Sequence, residues 1–143
     1  MSIITNVIIR DLENVLRLLK LVDLPIEGVK EHFQNFFLIK EDNLAIGCIG
    51  IEIYGQVGLL RSLAVHPSFQ NKGLGQKLVG WIERYSTEKG INSIYLLTET
   101  AENFFLKLGY QFIPREKTDP KIKQSIEFTT LCPSAPVMVK KID

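Results

Sequence analysis

The sequence predicts a mixed α/β domain built on one mostly antiparallel sheet with helices on both faces. Three features predict it: an amphipathic segment opens the chain, two long apolar runs follow across a two-residue turn, and strand and helix signals then alternate from Val57 onward. In chain order, Leu12, Val15, Leu16, Leu19 and Val22 mark one face of a helix over 11–22, which ends at Asp23-Leu24-Pro25. A short helix is expected from Ile26 to Phe33, a strand from Phe36 to Ile39, and a hairpin turn at Glu41-Asp42-Asn43. From Ala45 to Tyr54, Gly47, Ile49, Ile51 and Ile53 share one strand face; Ile46, Cys48, Gly50, Glu52 and Tyr54 share the other, more mixed one. Gly55-Gln56 then reverses the chain into Val57–Val65, giving an antiparallel pair. Leu74, Leu78, Trp81, Ile82 and Tyr85 recur at helical spacing up to a stop at Gly90. Ile94–Thr98 reads as a strand, Ala101–Leu108 as a helix closed by Gly109, and Tyr110–Ile113 as the start of another strand. The polar, proline-marked stretch 114–136 is read as a connection, with Val137–Lys140 returning as a last strand.

With 143 residues, 45% hydrophobic and 23% charged, a single soluble domain spanning 1–143 is expected. A net charge of +1 provides no bulk attraction for nucleic acid or an anionic membrane, so neither is expected as a partner. Cys48 and Cys132 form neither a disulfide framework nor a metal-ligand spacing, and no metal is expected. The sequence shows no basic-then-apolar leader and no bilayer-length apolar run, which points to the cytoplasm.

The most informative stretch is Leu63-Ala64-Val65-His66-Pro67-Ser68-Phe69-Gln70-Asn71-Lys72-Gly73-Leu74-Gly75, an apolar strand running through a glycine-marked turn into the long helix. The first helical turn has N–H groups without intrahelical partners and the positive end of the helix dipole, so it attracts a phosphate. Spacing separates the candidate phosphate motifs. A Walker loop needs Lys and Ser or Thr after its last glycine, but Gln76 and Lys77 follow Gly75; a dinucleotide fingerprint wants a small residue where Leu78 stands.

Gln-x-x-Gly-x-Gly after Leu-Ala-Val and a His-Pro break resembles the acyl-coenzyme A loop of the GNAT acetyltransferase superfamily. Ala101-Glu102-Asn103-Phe104-Phe105-Leu106-Lys107-Leu108-Gly109-Tyr110 resembles that family's second hallmark segment. The resemblance implies a GNAT-type fold whose two central parallel strands, Leu59–Val65 and Ile94–Thr98, splay apart to admit acetyl-CoA as co-substrate. It implies that backbone of Leu63, Ala64 and Val65 holds the pantetheine arm, and that Gln70, Asn71, Lys72, Gly73, Leu74 and Gly75 hold the pyrophosphate. Asn103 and Phe105 are expected beside the same ligand. Many members carry a tyrosine acid where this chain has Phe105, and an asparagine near the place of Thr98; Asn103 is an offset stand-in. Water or a hydroxyl such as that of Thr98 is then the expected proton donor to the departing thiolate. Glu52 and Glu99 are candidate bases, with Glu52 favoured because it shares a strand face with Tyr54; a solvated surface role remains open for each.

A narrower resemblance joins Glu31-His32-Phe33, Leu59–Val65, Leu96–Glu102 and a tail containing Arg115, Ser125, Glu127-Phe128 and Leu131–Ala135 to the arsenic-resistance N-acetyltransferases, which act on the α-amine of arsinothricin, an acidic glutamate-like antibiotic. It implies a small-molecule amine as partner. Arg61 and Arg115 are expected to bind its acid groups, since a guanidinium donates two parallel hydrogen bonds. Ser62, Thr100 and Ser125 are expected to add neutral donors, with His32 and Tyr54 on the acceptor side. Deprotonating a lysine-like amine of pKa ~10.4 at neutral pH costs roughly 4 to 5 kcal/mol, against about 1.4 for an α-amine near ~8, so an α-amine relaxes the demand for a strong base. A protein acetyltransferase and a non-catalytic CoA-binding domain stay open as alternatives. So does the role of the segment after Pro114, which either folds over the cleft or makes a homodimer contact.

Overall fold

The computed structural model describes residues 3–142. Its elements are β1 (Ile4–Asn6), α1 (Leu12–Leu21), α2 (Val29–His32), β2 (Phe36–Glu41), β3 (Leu44–Tyr54), β4 (Val57–Val65), α3 (Leu74–Glu88), β5 (Ser93–Leu97), α4 (Glu102–Lys107), β6 (Gln111–Ile113) and β7 (Val137–Lys141). The strands form one seven-stranded sheet in the order β1-β2-β3-β4-β5-β7-β6. Two units of dense contact make up the chain: the part up to Ile51 with Ser62–Ile82, and Glu52–Arg61 with Glu83 onward.

In the first unit β2 pairs antiparallel with β1 and β3, Ile4 opposite Ile39 and Phe36 opposite Gly50. Phe36 and Leu38 share a core with Val15, Leu18 and Leu19 of α1, together with Cys48 and Ala64. The alternate residues point the other way: the Phe37 ring meets Trp81 of α3 edge-on at 5.7 Å, and Ile39 and Leu78 both border Gly47. Because helices cover both sides of β2, its Phe-Phe-Leu-Ile run is buried throughout and shows no apolar/polar alternation. The same holds along β3, where every residue from Ala45 to Glu52 is buried, so its expected mixed face is a core face as well.

In the second unit β4 and β5 run parallel over Val57–Ser93, Gly58–Ile94 and Leu59–Tyr95. The ladder stops there, although β5 continues to Leu97 and β4 beyond Arg61. β7 lies between β5 and β6, antiparallel to each, and aligns Leu97 with Val137 and Ile113. Leu59, Tyr95 and Val137 pack against Ile122 and Phe128. On the side presenting Lys140, the Glu83 carboxylate of α3 accepts from Lys140 Nζ at 3.1 Å and from Tyr110 Oη at 2.9 Å.

Several expectations change. β1 adds a strand that three residues at an edge cannot announce by periodicity. The helix expected over Ile26–Phe33 shrinks to α2 followed by a 3-10 turn at Phe33–Asn35, as Pro25 and Gly28 leave little room for it. Tyr110 precedes β6 instead of starting it; its buried ring packs on Phe105. The stretch 114–136, read as a connection, contains 3-10 turns at Arg115–Lys117 and Ile122–Gln124 and a π-helical turn at Glu127–Leu131.

Gly50 supplies a stability test. A Cβ there would lie 2.3 Å from the fully buried Phe36 ring, so Gly50→Ala is expected to destabilise the protein by roughly 1–3 kcal/mol through overpacking, as read by denaturant unfolding.

Candidate active site

An ionisable residue on an apolar strand must find a partner or lose its charge on burial. Glu52, near the end of β3, is fully buried and has partners: its Oε1 accepts from Tyr54 Oη at 2.5 Å and its Oε2 from Arg61 Nη1 at 2.8 Å. Arg61 of β4 is equally buried, and its Nε stands 3.4 Å from Oε2 of Glu127 on the π-helical turn. Ser125 Oγ accepts from the Glu127 backbone N–H at 3.1 Å and fixes the entry to that turn. The surface-carboxylate reading of Glu52 is thus replaced by a buried ionic cluster, in which Arg61 is held by protein carboxylates.

This cluster contains two carboxylates and one guanidinium. Glu52 has the closer contact and the Tyr54 hydroxyl as well; Glu127 has the longer one. Burial pushes the Glu127 carboxyl up to about 7, against the attraction of Arg61 and with a further upward push from Glu52. The Tyr54 phenol is raised by burial and by its bond to Glu52. The Cys132 thiol is raised by burial and by the negative fields of Glu127 and Glu99, which brings the end of β5 within electrostatic reach of the cluster.

The structure distributes the remaining expected residues more widely. Thr98 follows β5, and its Oγ1 accepts from the Ala101 N–H at 3.0 Å, which shapes the start of α4. Glu99 and Thr100 are exposed. Arg115 directs its fork onto its own chain: Nη1 donates to Ala135 O at 2.7 Å, Nη2 to Phe128 O at 2.6 Å and Cys132 O at 2.9 Å, with the guanidinium 4.0 Å above the Phe128 ring. It organises the segment 114–136 and pairs with neither Glu116 nor Asp119 among the bonds it makes. His32 is half-buried at the end of α2. Phe105 is a core residue, edge-on to Phe104 at 5.1 Å and to Tyr110 at 5.5 Å, whereas Asn103 is exposed.

The glycine loop belongs to the first unit. Ser62, buried in β4, adopts φ 61, and its carbonyl accepts from the Cys48 thiol at 3.3 Å. A left-handed residue in mid-strand kinks β4 just before Leu63-Ala64-Val65. Beyond them His66 N–H is held by Ile46 O at 2.8 Å, His66 Nδ1 accepts from Ser68 N–H at 3.1 Å, and Gln70 Nε2 donates to Val65 O at 3.1 Å. Gln70, Asn71, Lys72 and Gly73 are exposed, and Leu74 anchors the helix in the core. Asn71 and Gly73 take φ 64 and 81, which turns the chain tightly into α3. The first intrahelical bond runs from Lys77 N–H to Gly73 O, so the amides of Leu74, Gly75 and Gln76 precede that ladder.

Residues 32–112 match the model of the acetyltransferase (GNAT) domain, which is more than half of the chain. The chain belongs to the GNAT acetyltransferase family. Among GNAT proteins, an uncharacterized N-acetyltransferase of Chlorobaculum tepidum is 37% identical over 98 residues, covering 68% of this chain and 63% of that relative. An amino-acid acetyltransferase of Edwardsiella ictaluri is 26% identical over 98 residues, 64% of this chain but 22% of its own length. The chain thus spans less than two thirds of these relatives. In fold it is similar to N-acetylglutamate synthase from Neisseria gonorrhoeae complexed with coenzyme A and N-acetyl-glutamate, with a TM-score of 0.86 and 18% identity over 100% of this chain and 35% of that one. A GNAT-family acetyltransferase of Staphylococcus aureus gives a TM-score of 0.82 at 16% identity, with both chains covered in full.

Sequence reasoning missed Glu127 as a site residue. The available signal was charge counting: a carboxylate in the mostly apolar run Ile126-Glu127-Phe128, in a chain with an arginine on a buried strand.

Stability should report this carboxyl. Its pKa rises on folding from 4.5 to about 7, so the folded state holds the proton more tightly and its contribution is lost as pH rises through that interval. Unfolding free energy is expected to fall by up to about 3 kcal/mol from this group between those pH values, and Glu127→Gln to flatten that slope in urea titrations.

Proposed function

We propose that this GNAT protein is an acetyl-CoA-dependent N-acetyltransferase acting on the α-amine of a small amino-acid-like molecule, in its finer form an acidic analogue such as arsinothricin. The observation that carries the reading is the exposed Gln70–Gly73 turn, tied back to Val65 by its own glutamine and opening onto the first amides of α3. The fit to a diphosphate rests on space and polarity. No atom lies within 4 Å of where a Gly73 Cβ would project, and the adjoining helix start provides N–H donors. Amino-acid acetyltransferases among the relatives, and the N-acetylglutamate synthase fold, support an amino acid as acceptor.

Bound acetyl-CoA supplies an activated acetyl thioester. In this reading the Leu63–Val65 backbone aligns the pantetheine arm as an added strand would, and an amide near Val65 polarises the reacting carbonyl. Thr98 Oγ1 uses a lone pair on the Ala101 N–H, and its own O–H is assigned to protonate the thiolate. A thiol of pKa about 8.5 leaves as an anion with modest difficulty, so the lack of a hydroxyl at Phe105 is tolerable. Arg61 and Arg115 are engaged by protein oxygens, so the arginine fork is not assigned to the acceptor's acid groups, and the exposed Thr100 after β5 is the polar contact offered to the acceptor.

Titrating CoA into the protein, then measuring thiol release with glutamate, phosphinothricin, arsinothricin and peptides, tests this. Turnover with the amino-acid analogues supports the proposal; turnover with peptides alone points to a protein acetyltransferase. CoA binding without thiol release identifies a non-catalytic domain. Gly73→Val should raise the acetyl-CoA KM by on the order of tenfold with kcat nearly unchanged, because a branched residue at φ 81 is strained and enters the open space assigned to the diphosphate.

A further inference from the structure

We propose that Glu127, on the π-helical turn of the C-terminal segment, is the proton acceptor for the acceptor's ammonium, with Arg61 and Glu52 as the residues that position and tune it. The inference rests on the acetyl-transfer reading above and deepens it.

Geometry separates the two buried carboxylates. Glu52 is held on both oxygens, by a phenol at 2.5 Å and a guanidinium at 2.8 Å. A carboxylate so engaged is a poor site for a transient proton. Glu127 meets the same guanidinium only at 3.4 Å, and its side chain retains 7% exposure against 1% for Glu52. Its position also suits the task. Arg61 lies on β4 two residues past Leu59, the last residue in the β4–β5 ladder, so Glu127 reaches the strand just beyond its parallel pairing. The i→i+5 bond from Cys132 N–H to Glu127 O at 2.8 Å defines a π-turn, a geometry recurrent at functional sites. Arg61 on β4 and Glu52 on β3 act directly on Glu127, Tyr54 is bonded to Glu52, and the Cys132 thiol, which also feels Glu99 and Arg115, stands in the field of Glu127. Burial, reinforced by Glu52 and opposed by Arg61, brings the Glu127 carboxyl to about 7, where a general base works well.

The step balances. Glu127 carboxylate takes one proton from the ammonium, the amine nitrogen bonds to the thioester carbonyl carbon, and the C–S bond breaks with its electron pair going to sulfur. Of the two protons the nitrogen sheds in all, one ends on the thiol and the other leaves to solvent through Glu127.

The test compares kcat/KM against pH for the wild type, Glu127→Gln and Glu127→Asp with an α-amino acceptor, alongside CoA affinity. The wild type should show a limb near pH about 7, which Glu127→Gln removes, leaving only the ionisation of the amine near ~8. The Gln variant should lose on the order of a hundredfold in kcat and keep its CoA affinity. Its loss should shrink for a weakly basic amine that is already neutral, and Glu127→Asp should retain the limb. A Gln variant within about threefold of wild type with the limb intact overturns the assignment alone. A wild type that binds CoA but acetylates no amine overturns it together with the transfer reading.

Discussion

One guanidinium shared between two buried carboxylates is the constraint around which the second unit is arranged. Burying Arg61 without partners would carry a large desolvation penalty, and one carboxylate does not use the whole fork. Glu52 reaches it from the preceding strand and Glu127 from the C-terminal segment, so two neighbouring strands and one stretch distant in sequence converge on a single charge. An ionic cluster of this kind adds little net stability over an apolar core of equal volume, but it penalises every arrangement that leaves one member unpaired. Arg115 does similar work locally, gathering three carbonyls and an aromatic face so that the C-terminal segment holds its shape.

The sheet explains why much of the fold was readable. β3, β4, α1 and α3 lie where apolar periodicity and the Gly55-Gln56 turn place them, because burial decides these elements and burial is written in residue type. The turn over Gln70–Gly75 was legible for a different reason: glycine spacing after a strand encodes backbone geometry directly. β1 was hidden because three edge residues have no period, and α2 was overextended because local helix propensity gave way to the Pro25 and Gly28 breaks.

The candidate site was only half legible. Glu52, Tyr54, Arg61 and Ser125 could be selected as polar residues on promising elements, yet their mutual contacts depend on how the C-terminal segment folds back. That segment contains no helical period, and its short turns are set by tertiary contacts with Ile122, Phe128 and Arg115. Glu127 therefore entered only as part of a resembling tail, and Arg115, expected on the acceptor's acid groups, donates to carbonyls of its own segment. Family likeness extends more readily to the backbone of a glycine-marked turn than to side chains of a segment shaped by tertiary contacts.

β7 has a consequence for how the chain is made. It lies between β5 and β6, so β6 has no sheet neighbour until Val137–Lys141 has left the ribosome. The strands of the first unit all precede Pro67 and their ladders can form early, whereas β6 must wait more than twenty residues for β7, its sheet neighbour among the described residues. During synthesis the backbone edge of β5 that β7 later pairs is thus transiently bare, an unpaired strand edge of the kind that invites aggregation until the chain delivers Val137–Lys141.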